Sequence, residues 1–159
     1  MTQVGGCVRR SNPGDLHHLV ALWIEITRNH ASVDPLFTLR SGVEPEVRRL
    51  LAAQLAHADG AVFVWEDADL LLGFCSVRVD RAPPILVETV RAEITDLGVR
   101  EAARRRGIGT ALADAALAWV RGRGIVRVEV RVAAGNPAAQ GFWRALGFGD
   151  LMDVLQRRL

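Results

Sequence analysis

The sequence contains no lysine and no tyrosine, so all twenty basic residues are arginines and no phenol is available as an acid. Cysteine is also scarce, and Cys7 and Cys75 are too few and too far apart for a disulfide framework or a zinc site. We therefore expect no metal and a reducing compartment, the cytoplasm. No apolar run approaches the ~18–20 residues of a membrane helix, so no membrane partner is expected. The first residues also lack the basic and apolar regions of a secretory signal.

What is present is the composition of a globular protein, half hydrophobic and about a quarter charged. A length of 159 residues suits one domain, and we expect a single domain over residues 1–159. The isoelectric point is near 9.0, but the net charge is only +2 and the arginines are scattered. A nucleic-acid partner is therefore not expected, because such binding needs clustered positive charge.

Hydrophobic periodicity predicts two helices, then a hairpin of strands, then an alternation of strands and helices. The order predicts a mixed-sheet α/β or α+β domain. The predicted strands are Cys7–Arg10, Ala61–Trp65, Leu70–Val79, a long central strand Leu86–Val99, Ile125–Val132 and a final one over Asp150–Leu155. The predicted helices begin at Asn12-Pro13, near Pro45, at Gly107 and at Asn136-Pro137.

The stretch from Arg104 to Thr110, which joins the central strand to the next helix, has the features of an anion-binding loop. Gly107 and Gly109 allow a tight turn that leaves backbone N–H groups uncovered. A helix that opens there adds unpaired N–H donors and the positive end of its dipole. Arg104, Arg105 and Arg106 offer fixed charge with bidentate geometry for phosphate oxygens. The residues therefore indicate a pyrophosphate-binding loop.

Two other interpretations of this loop are open. A charged surface turn that leads into an amphipathic helix would have the same composition. A Rossmann dinucleotide site would also place an acidic residue, here Glu129, about twenty residues further on. The third glycine of that fingerprint is replaced by Leu112, however, and the glycines come late after the strand, which argues against a dinucleotide.

Two motifs resemble those of the GNAT N-acetyltransferase superfamily. Arg104-x-x-Gly107-x-Gly109 is similar to its Gln/Arg-x-x-Gly-x-Gly/Ala signature. The segment from Asn136 to Phe148, with Phe142-Trp143 and Leu146-Gly147-Phe148, is similar to the family's last helix, usually Asn…Phe-Tyr…Leu-Gly-Phe. The resemblance implies a mixed sheet of about six to seven strands with a bulged, splayed central strand, flanked by four helices. It also implies a possible homodimer.

For the donor, the resemblance implies acetyl-CoA, with its pyrophosphate on the backbone N–H groups from Arg105 to Thr110. Gly98 lies inside the central strand, where glycine often marks a bulge, and the pantetheine arm would pair there with Leu97 and Val99. The Val99 N–H would polarise the thioester carbonyl. A packing glycine without a ladder defect is the alternative. The predicted cofactor-binding residues are Leu97, Gly98, Val99, Arg104, Arg105, Arg106, Gly107, Ile108, Gly109, Thr110, Asn136 and Phe142.

An amine must lose a proton before it attacks a thioester, so a general base is needed, and Glu93 is the candidate. The pKa of a lysine-like amine, about 10.4, is about 3.4 units above pH 7, so forming the neutral amine costs roughly 4.6 kcal/mol. Even spacing predicts that Glu93 shares one strand face with Leu97 and Val99, and that Asp96 lies on the other. The position of Glu93 also resembles that of the base in the histone-acetyltransferase branch. A salt-bridged strand residue is the alternative for Glu93, and Asp96 and Thr95 are the secondary candidates for the base.

At the leaving thiolate the sequence departs from the family pattern. The resemblance implies a tyrosine at the position of Trp143, but an indole N–H donates a hydrogen bond and no proton. Water, Ser76 or Cys75 are the other candidates for the acid. His30, just past the first helix, is the histidine expected near an acceptor groove.

We therefore expect an N-acetyltransferase that moves an acetyl group from acetyl-CoA to a primary amine by direct attack in a ternary complex. Its partners would be a CoA thioester and an amine acceptor, either a small molecule or a peptide. The predicted catalytic residues are Glu93, Val99 and Trp143. The missing tyrosine leaves one alternative function, an acyl-CoA-binding module with little or no catalysis.

Overall fold

A computed structural model describes residues 5–159 and shows five strands whose order across the sheet follows their order in the sequence. The first four strands pair antiparallel, and the fifth pairs with the fourth in parallel. The strands are β1 (Cys7–Arg10), β2 (Gly60–Asp67), β3 (Leu70–Arg81), β4 (Val90–Val99) and β5 (Val128–Val130).

Four α-helices cover the sheet: α1 (Leu16–Ala31), α2 (Glu44–Ala56), α3 (Ile108–Gly122) and α4 (Pro137–Ala145). Short 3-10 turns, at residues 13–15, 35–37 and 101–103, lead into or out of these elements. The first turn begins with a capping box, in which the Gly14 N–H donates to the Asn12 side chain and the Asn12 N–H donates to the Asp15 carboxylate, each at 2.8 Å. No helix within residues 5–159 is both long and apolar enough to cross a membrane.

Two apolar layers hold the helices on opposite faces of the sheet. On one face, called here the α1 face, Phe74 packs with buried side chains of α1 and α2 such as Leu19 and Leu51. On the other, called the α3 face, Cys75 and Val77 pack with α3 and α4. Neighbouring residues of β3 thus serve different layers, as the alternation of side chains along a strand requires.

The element order predicted from the sequence is confirmed, but the strand count is wrong. The sheet has five strands in the described chain, not six to seven. Asp150–Leu155 forms no strand, and every residue from 149 to 159 is exposed. The central strand starts at Val90 rather than Leu86. The strand predicted over Ile125–Val132 pairs over three residues only, because β4 and β5 diverge after Val130.

The central strand carries a bulge, but at Thr95 rather than at Gly98. Val77 of β3 lies opposite Ile94 and Ser76 lies opposite Asp96, which leaves Thr95 without a partner on β3. Gly98 pairs with Phe74 in regular register. The predicted ladder defect therefore exists three residues earlier than expected.

The extra residue reverses the alternation of side chains along β4. Before the bulge, Ile94 faces α3; after it, Leu97 and Val99 do. Glu93 consequently shares the α1 face with Asp96, which bonds to Trp23 of α1. The prediction that Glu93 shares a face with Leu97 and Val99 is therefore wrong, because one inserted residue moves every later side chain to the opposite face.

The close approach of α1 explains the glycine at position 98. This is the alternative in which Gly98 is a packing residue rather than the mark of a bulge. A Cβ at Gly98 would lie 2.6 Å from Cγ2 and 2.7 Å from Cδ1 of Ile26. Ile26 is itself buried in the layer between α1 and the sheet, so it has little room to move. The glycine lets the helix rest directly on the backbone of β4.

Gly98→Ala should lower the free energy of unfolding by about 1–3 kcal/mol, because the added methyl overpacks the contact with Ile26. Gly141→Ala is the control: a Cβ there, on α4, meets no atom within 4 Å. Its expected effect is a gain of up to about 1 kcal/mol, since alanine is the better helix former. Urea denaturation of both variants measures the difference. Equal stability of the wild type and Gly98→Ala would contradict the packing explanation.

Candidate active site

The divergence of β4 and β5 opens a groove of about 1170 Å³ between their carboxyl-terminal halves. The two strands pair only where Ala92–Ile94 meets Val128–Val130. Beyond Ile94, β4 has no neighbour on this side within the described chain. The walls of the groove come from β4, the loop that follows it, residues 130–133, the start of α4, and α1 with its following turn.

The open edge of β4 presents backbone N–H groups to the groove. The Arg100 N–H donates to Leu72 O of β3 at 2.8 Å, so it points away from the groove. Because N–H groups alternate between the two edges of a strand, those of Leu97 and Val99 point to the open edge. On the other side of the bulge the Ala92 N–H donates to Arg127 O, towards β5. The bulge thus directs the N–H groups of both predicted pantetheine-pairing residues into the gap.

The loop before α3 offers a continuous row of unpaired donors. The first helical bond joins the Ala111 N–H to Gly107 O at 3.0 Å. No acceptor in residues 5–159 is paired with an N–H group from Arg105 to Thr110. Arg105 and Gly107 both have left-handed φ, +62° and +78°, which turns the backbone sharply at the start of the helix. Successive N–H groups in such a turn form a concave anion site.

The three arginines of this loop have different surroundings. Arg104 Nε donates to Val99 O at 3.3 Å and ties the loop to the end of β4. Arg106 lies 4.0 Å from the Asp67 carboxylate and outside the groove. Arg105 lines the groove and has no carboxylate partner among the described residues. Arg105 is therefore the guanidinium best placed for an anion held by the loop.

Helix α4 forms the wall opposite the loop. The Ala139 N–H donates to the Asn136 side chain at 3.1 Å, so Asn136 caps the helix as its sequence position predicted. Phe142 packs over Gly109, 3.5 Å from the position of a Cβ there. Trp143 contacts Phe142 and Phe148 edge to face, at centroid distances of 5.0 and 5.1 Å, and is only 6% exposed. Both aromatic residues line the groove, although most of the Trp143 indole lies in the core.

Neither side chain that was considered as a substitute acid contributes to the described groove wall. Cys75 is buried under α3, and this burial, with the nearby Asp96 charge, raises the pKa of its thiol. Ser76 lies on the α1 face, and its buried hydroxyl has no partner in the described structure. The described residues also hold no group of three or more His, Cys, Asp or Glu side chains suited to a metal ion.

The α1 side of the groove carries a polar cluster that the sequence indicated only through His30. Trp23 Nε1 donates to Asp96 Oδ1 at 3.2 Å. His30 is half-buried beside Phe37, and burial together with the Arg104 charge lowers the pKa of its imidazole, although Asp96 opposes this. His30 is therefore neutral at pH 7. Trp23 sits on the predicted apolar face of the first helix, but nothing in the sequence connects it to Asp96.

Glu93 is buried and held by two arginines. Its carboxylate lies 2.7 Å from Arg78 and 3.5 Å from Arg131, and the residue is 8% exposed. It contributes nothing to the wall of the groove in the described chain. These contacts agree with the alternative interpretation of Glu93 as a salt-bridged strand residue. Its role as a base stays a prediction.

Known proteins resemble this chain in sequence or in fold. A mycothiol acetyltransferase of Renibacterium salmoninarum is 26% identical over 103 residues, which are 65% of this chain but 30% of that protein. A tetramutant of a Bacillus halodurans protein superposes with a TM-score of 0.84 at 18% identity and covers 96% of this chain and 99% of its own. The aminoglycoside N-acetyltransferase AAC(6')-Iy, in complex with CoA, gives a TM-score of 0.77 at 17% identity over 97% of this chain and 94% of its own.

The two structural likenesses show the fold, and the curated relative is much longer than the matched segment. The assignment of the chain rests on a broader match. Residues 18–148, from the first helix to the end of the Leu-Gly-Phe motif, fit the model of the acetyltransferase (GNAT) family. The chain therefore belongs to the GNAT acetyltransferase family.

Proposed function

We propose that this protein transfers the acetyl group of acetyl-CoA to a primary amine, and that the amine attacks the thioester directly while both substrates are bound. The observation that carries the proposal is the row of N–H groups from Arg105 to Thr110, which have no acceptor among residues 5–159 and lie directly beside the open edge of β4. This arrangement suits a ligand with a pyrophosphate at one end and an amide-containing arm at the other. CoA has both.

The pyrophosphate would lie on the loop before α3. Its charge would meet the unpaired N–H groups, the positive end of the α3 dipole and the Arg105 guanidinium. Arg104 would keep the loop in place through Val99 O rather than contact the phosphates first. A structure with the same fold, AAC(6')-Iy, was determined with CoA, which supports this choice of donor.

The arm would follow the open edge of β4 to the thioester. The N–H groups of Leu97 and Val99 face that edge, and the Val99 N–H would polarise the thioester carbonyl as negative charge develops on its oxygen. Phe142 and Trp143 would flank the arm from α4. The homodimer, the cytoplasmic location and the single domain over residues 1–159 stay predictions.

Gly107→Trp should weaken CoA binding by roughly a hundredfold, about 2.7 kcal/mol, because the indole would cover the N–H groups of the loop. The site of substitution is open, with no atom within 4 Å of a Cβ, so the core is untouched. Gly124→Trp is the matched control, since Gly124 also has a left-handed φ, +70°, and open surroundings, but lies beyond the other end of α3. Calorimetric titration with CoA compares the variants, and equal affinities would contradict the placement.

Arg105→Gln should weaken CoA binding about tenfold, or about 1.4 kcal/mol, because it removes a charge-assisted contact to phosphate. Arg106→Gln, the same change one residue away, should have a smaller effect because Arg106 faces Asp67 outside the groove. The affinity of the Arg105 variant should also depend less on salt. A larger loss at Arg106 would contradict the assignment.

Acetyl-CoA mixed with a panel of alkylamines, amino-terminal peptides and aminoglycosides should release free thiol. Release that depends on one acceptor class would identify the substrate. Failure to bind CoA at millimolar concentration would overturn the choice of donor. Tight CoA binding without thiol release for any amine would overturn acetyl transfer while leaving the binding site intact.

A further inference from the structure

Two carboxylates of β4, Glu93 and Asp96, lie on the α1 face and have opposite surroundings. Glu93 is paired with Arg78 and Arg131 and lies outside the groove. Asp96 lines the groove and has no guanidinium within 4.0 Å in the described chain. Instead, the neutral indole N–H of Trp23 donates to Asp96 Oδ1. No side chain among residues 5–159 donates to Asp96 Oδ2, so this oxygen is open to a cation in the groove.

The bulge turns the Asp96 side chain towards α1, three residues before Val99, whose N–H would polarise the thioester carbonyl. Asp96 directly precedes Leu97, whose N–H faces the open edge where the arm of the donor would lie. The Asp96 side chain projects on the α1 face, whereas α4 and Trp143 approach from the α3 face. An amine that reaches the thioester between α1 and β4 would meet this carboxylate before it meets the carbonyl carbon.

The ionisable groups around Asp96 carry charges of both signs. Besides Asp96, the ionisable groups that line the groove come from α1 and its turn, the loop after β4, and the residue after β5; they are His30, Asp34, Glu101, Arg104, Arg105 and Arg131. His30 is neutral at pH 7 because burial lowers the pKa of its imidazole, so it does not repel an ammonium group. Arg104 is bonded to Val99 O, and Arg131 is shared with Glu93.

We infer that Asp96 binds the protonated amine of the acceptor and acts as the general base, so the acceptor is a primary alkylamine that is cationic at neutral pH. The inference rests on the acetyl transfer proposed above. The ammonium group would donate to Asp96 Oδ2 and pass one proton to it. The amine nitrogen then forms a bond to the carbonyl carbon, the C–S bond breaks, and the thiolate takes the second amine proton, directly or through water. Asp96 afterwards releases its proton to solvent.

Trp23 is a positioning residue in this scheme. Its indole N–H holds Asp96 Oδ1, so Oδ2 would be the oxygen left for the acceptor. Trp23, Ile26 and His30 lie on one face of α1, and Ile26 rests on Gly98. The packing of α1 on β4 therefore sets the position of the carboxylate relative to the thioester.

Asp96→Asn removes the charge and keeps the shape of the side chain. We expect kcat/KM for an alkylamine to fall roughly a hundredfold at pH 7. Affinity for CoA, measured by calorimetry, should change less than about twofold. The deficit should shrink as the pH approaches the pKa of the amine, because solution then supplies the neutral nucleophile. Asp114→Asn, the same substitution on the exposed side of α3, should leave both quantities unchanged.

Glu93→Gln separates the two carboxylates. If Asp96 is the base, Glu93→Gln should lower stability through the weakened pair with Arg78, and any loss of kcat should not depend on pH. A pH-dependent deficit in Glu93→Gln and none in Asp96→Asn would overturn the inference and make Glu93 the base. Wild-type protein that binds CoA but releases no thiol with any amine would overturn the proposed function, and the inference with it.

A measurement without an acceptor tests the geometry alone. His30 should titrate at lower pH in the folded protein than in the denatured chain, as followed by NMR of the imidazole. Asp96→Asn should lower this midpoint further, because the Asp96 charge favours the imidazolium form. An unchanged midpoint would show that Asp96 does not face the groove and would overturn the inference.

Trp23→Phe provides a second variant should Asp96→Asn fail to fold. It keeps the aromatic packing on β4 and removes only the donor to Asp96 Oδ1. We expect a roughly tenfold lower kcat, with the Kd for CoA unchanged, because the carboxylate is present but misdirected. An unaltered kcat would contradict the positioning role, and an equal loss in CoA affinity would point to general damage to the groove.

Discussion

The candidate site depends on one unpaired residue, Thr95, in the central strand. This residue reverses two alternations at once, that of the side chains and that of the backbone N–H groups. If Thr95 were paired with β3 in regular register, Asp96 would face α3, and the N–H groups of Leu97 and Val99 would bond to β3. Because Thr95 is skipped, the Asp96 carboxylate faces α1 and these N–H groups face the gap to β5. The bulge costs one ladder position, but it places the Asp96 carboxylate and the N–H groups of Leu97 and Val99 within five residues of chain, from Thr95 to Val99.

Packing on both faces of the sheet keeps this arrangement rigid. Ile26 of α1 presses on Gly98 from one side, and Leu112 of α3 presses on Gly73 from the other, 3.0 Å from the position of a Cβ. Gly73 and Gly98 belong to neighbouring strands, so two small residues let two helices clamp the β3–β4 ladder just before it opens. The same contact at Gly98 brings Trp23 and His30, which share a helix face with Ile26, to the groove. Core packing and the acceptor side of the site therefore depend on a single helix–strand contact.

The sequence predicted what depends on local pattern and missed what depends on register. Helix starts at Asn12 and Asn136 and the loop at Gly107 follow from capping and glycine chemistry, which act over a few residues. The position of the bulge does not follow from local chemistry, because it depends on how β4 pairs with β3. In the sequence, a glycine at position 98 looks the same whether it marks a bulge or a packing contact. The assignment of Glu93 to the wrong face followed directly from that error. Likewise, only tertiary structure shows that Arg106 faces Asp67 while the adjacent Arg105 lines the groove.

The missing tyrosine is less of an obstacle to acetyl transfer than its family position suggests. The ordinary pKa of a thiol, about 8.5, is only about 1.5 units above pH 7. At that pH the free energy of a leaving thiolate is therefore only about 2 kcal/mol above that of the thiol. The nitrogen that has just attacked the carbonyl carries a proton far more acidic than that of a free alkylammonium, and it lies within reach of the departing sulfur. Cys75 and Ser76 are buried and contribute nothing to the described groove wall, so neither replaces this source. A hydrogen bond from the Trp143 indole would suffice to stabilise the sulfur until the proton arrives. The harder requirement is a neutral nucleophile, which the proposed base Asp96, without a guanidinium partner among residues 5–159, would supply.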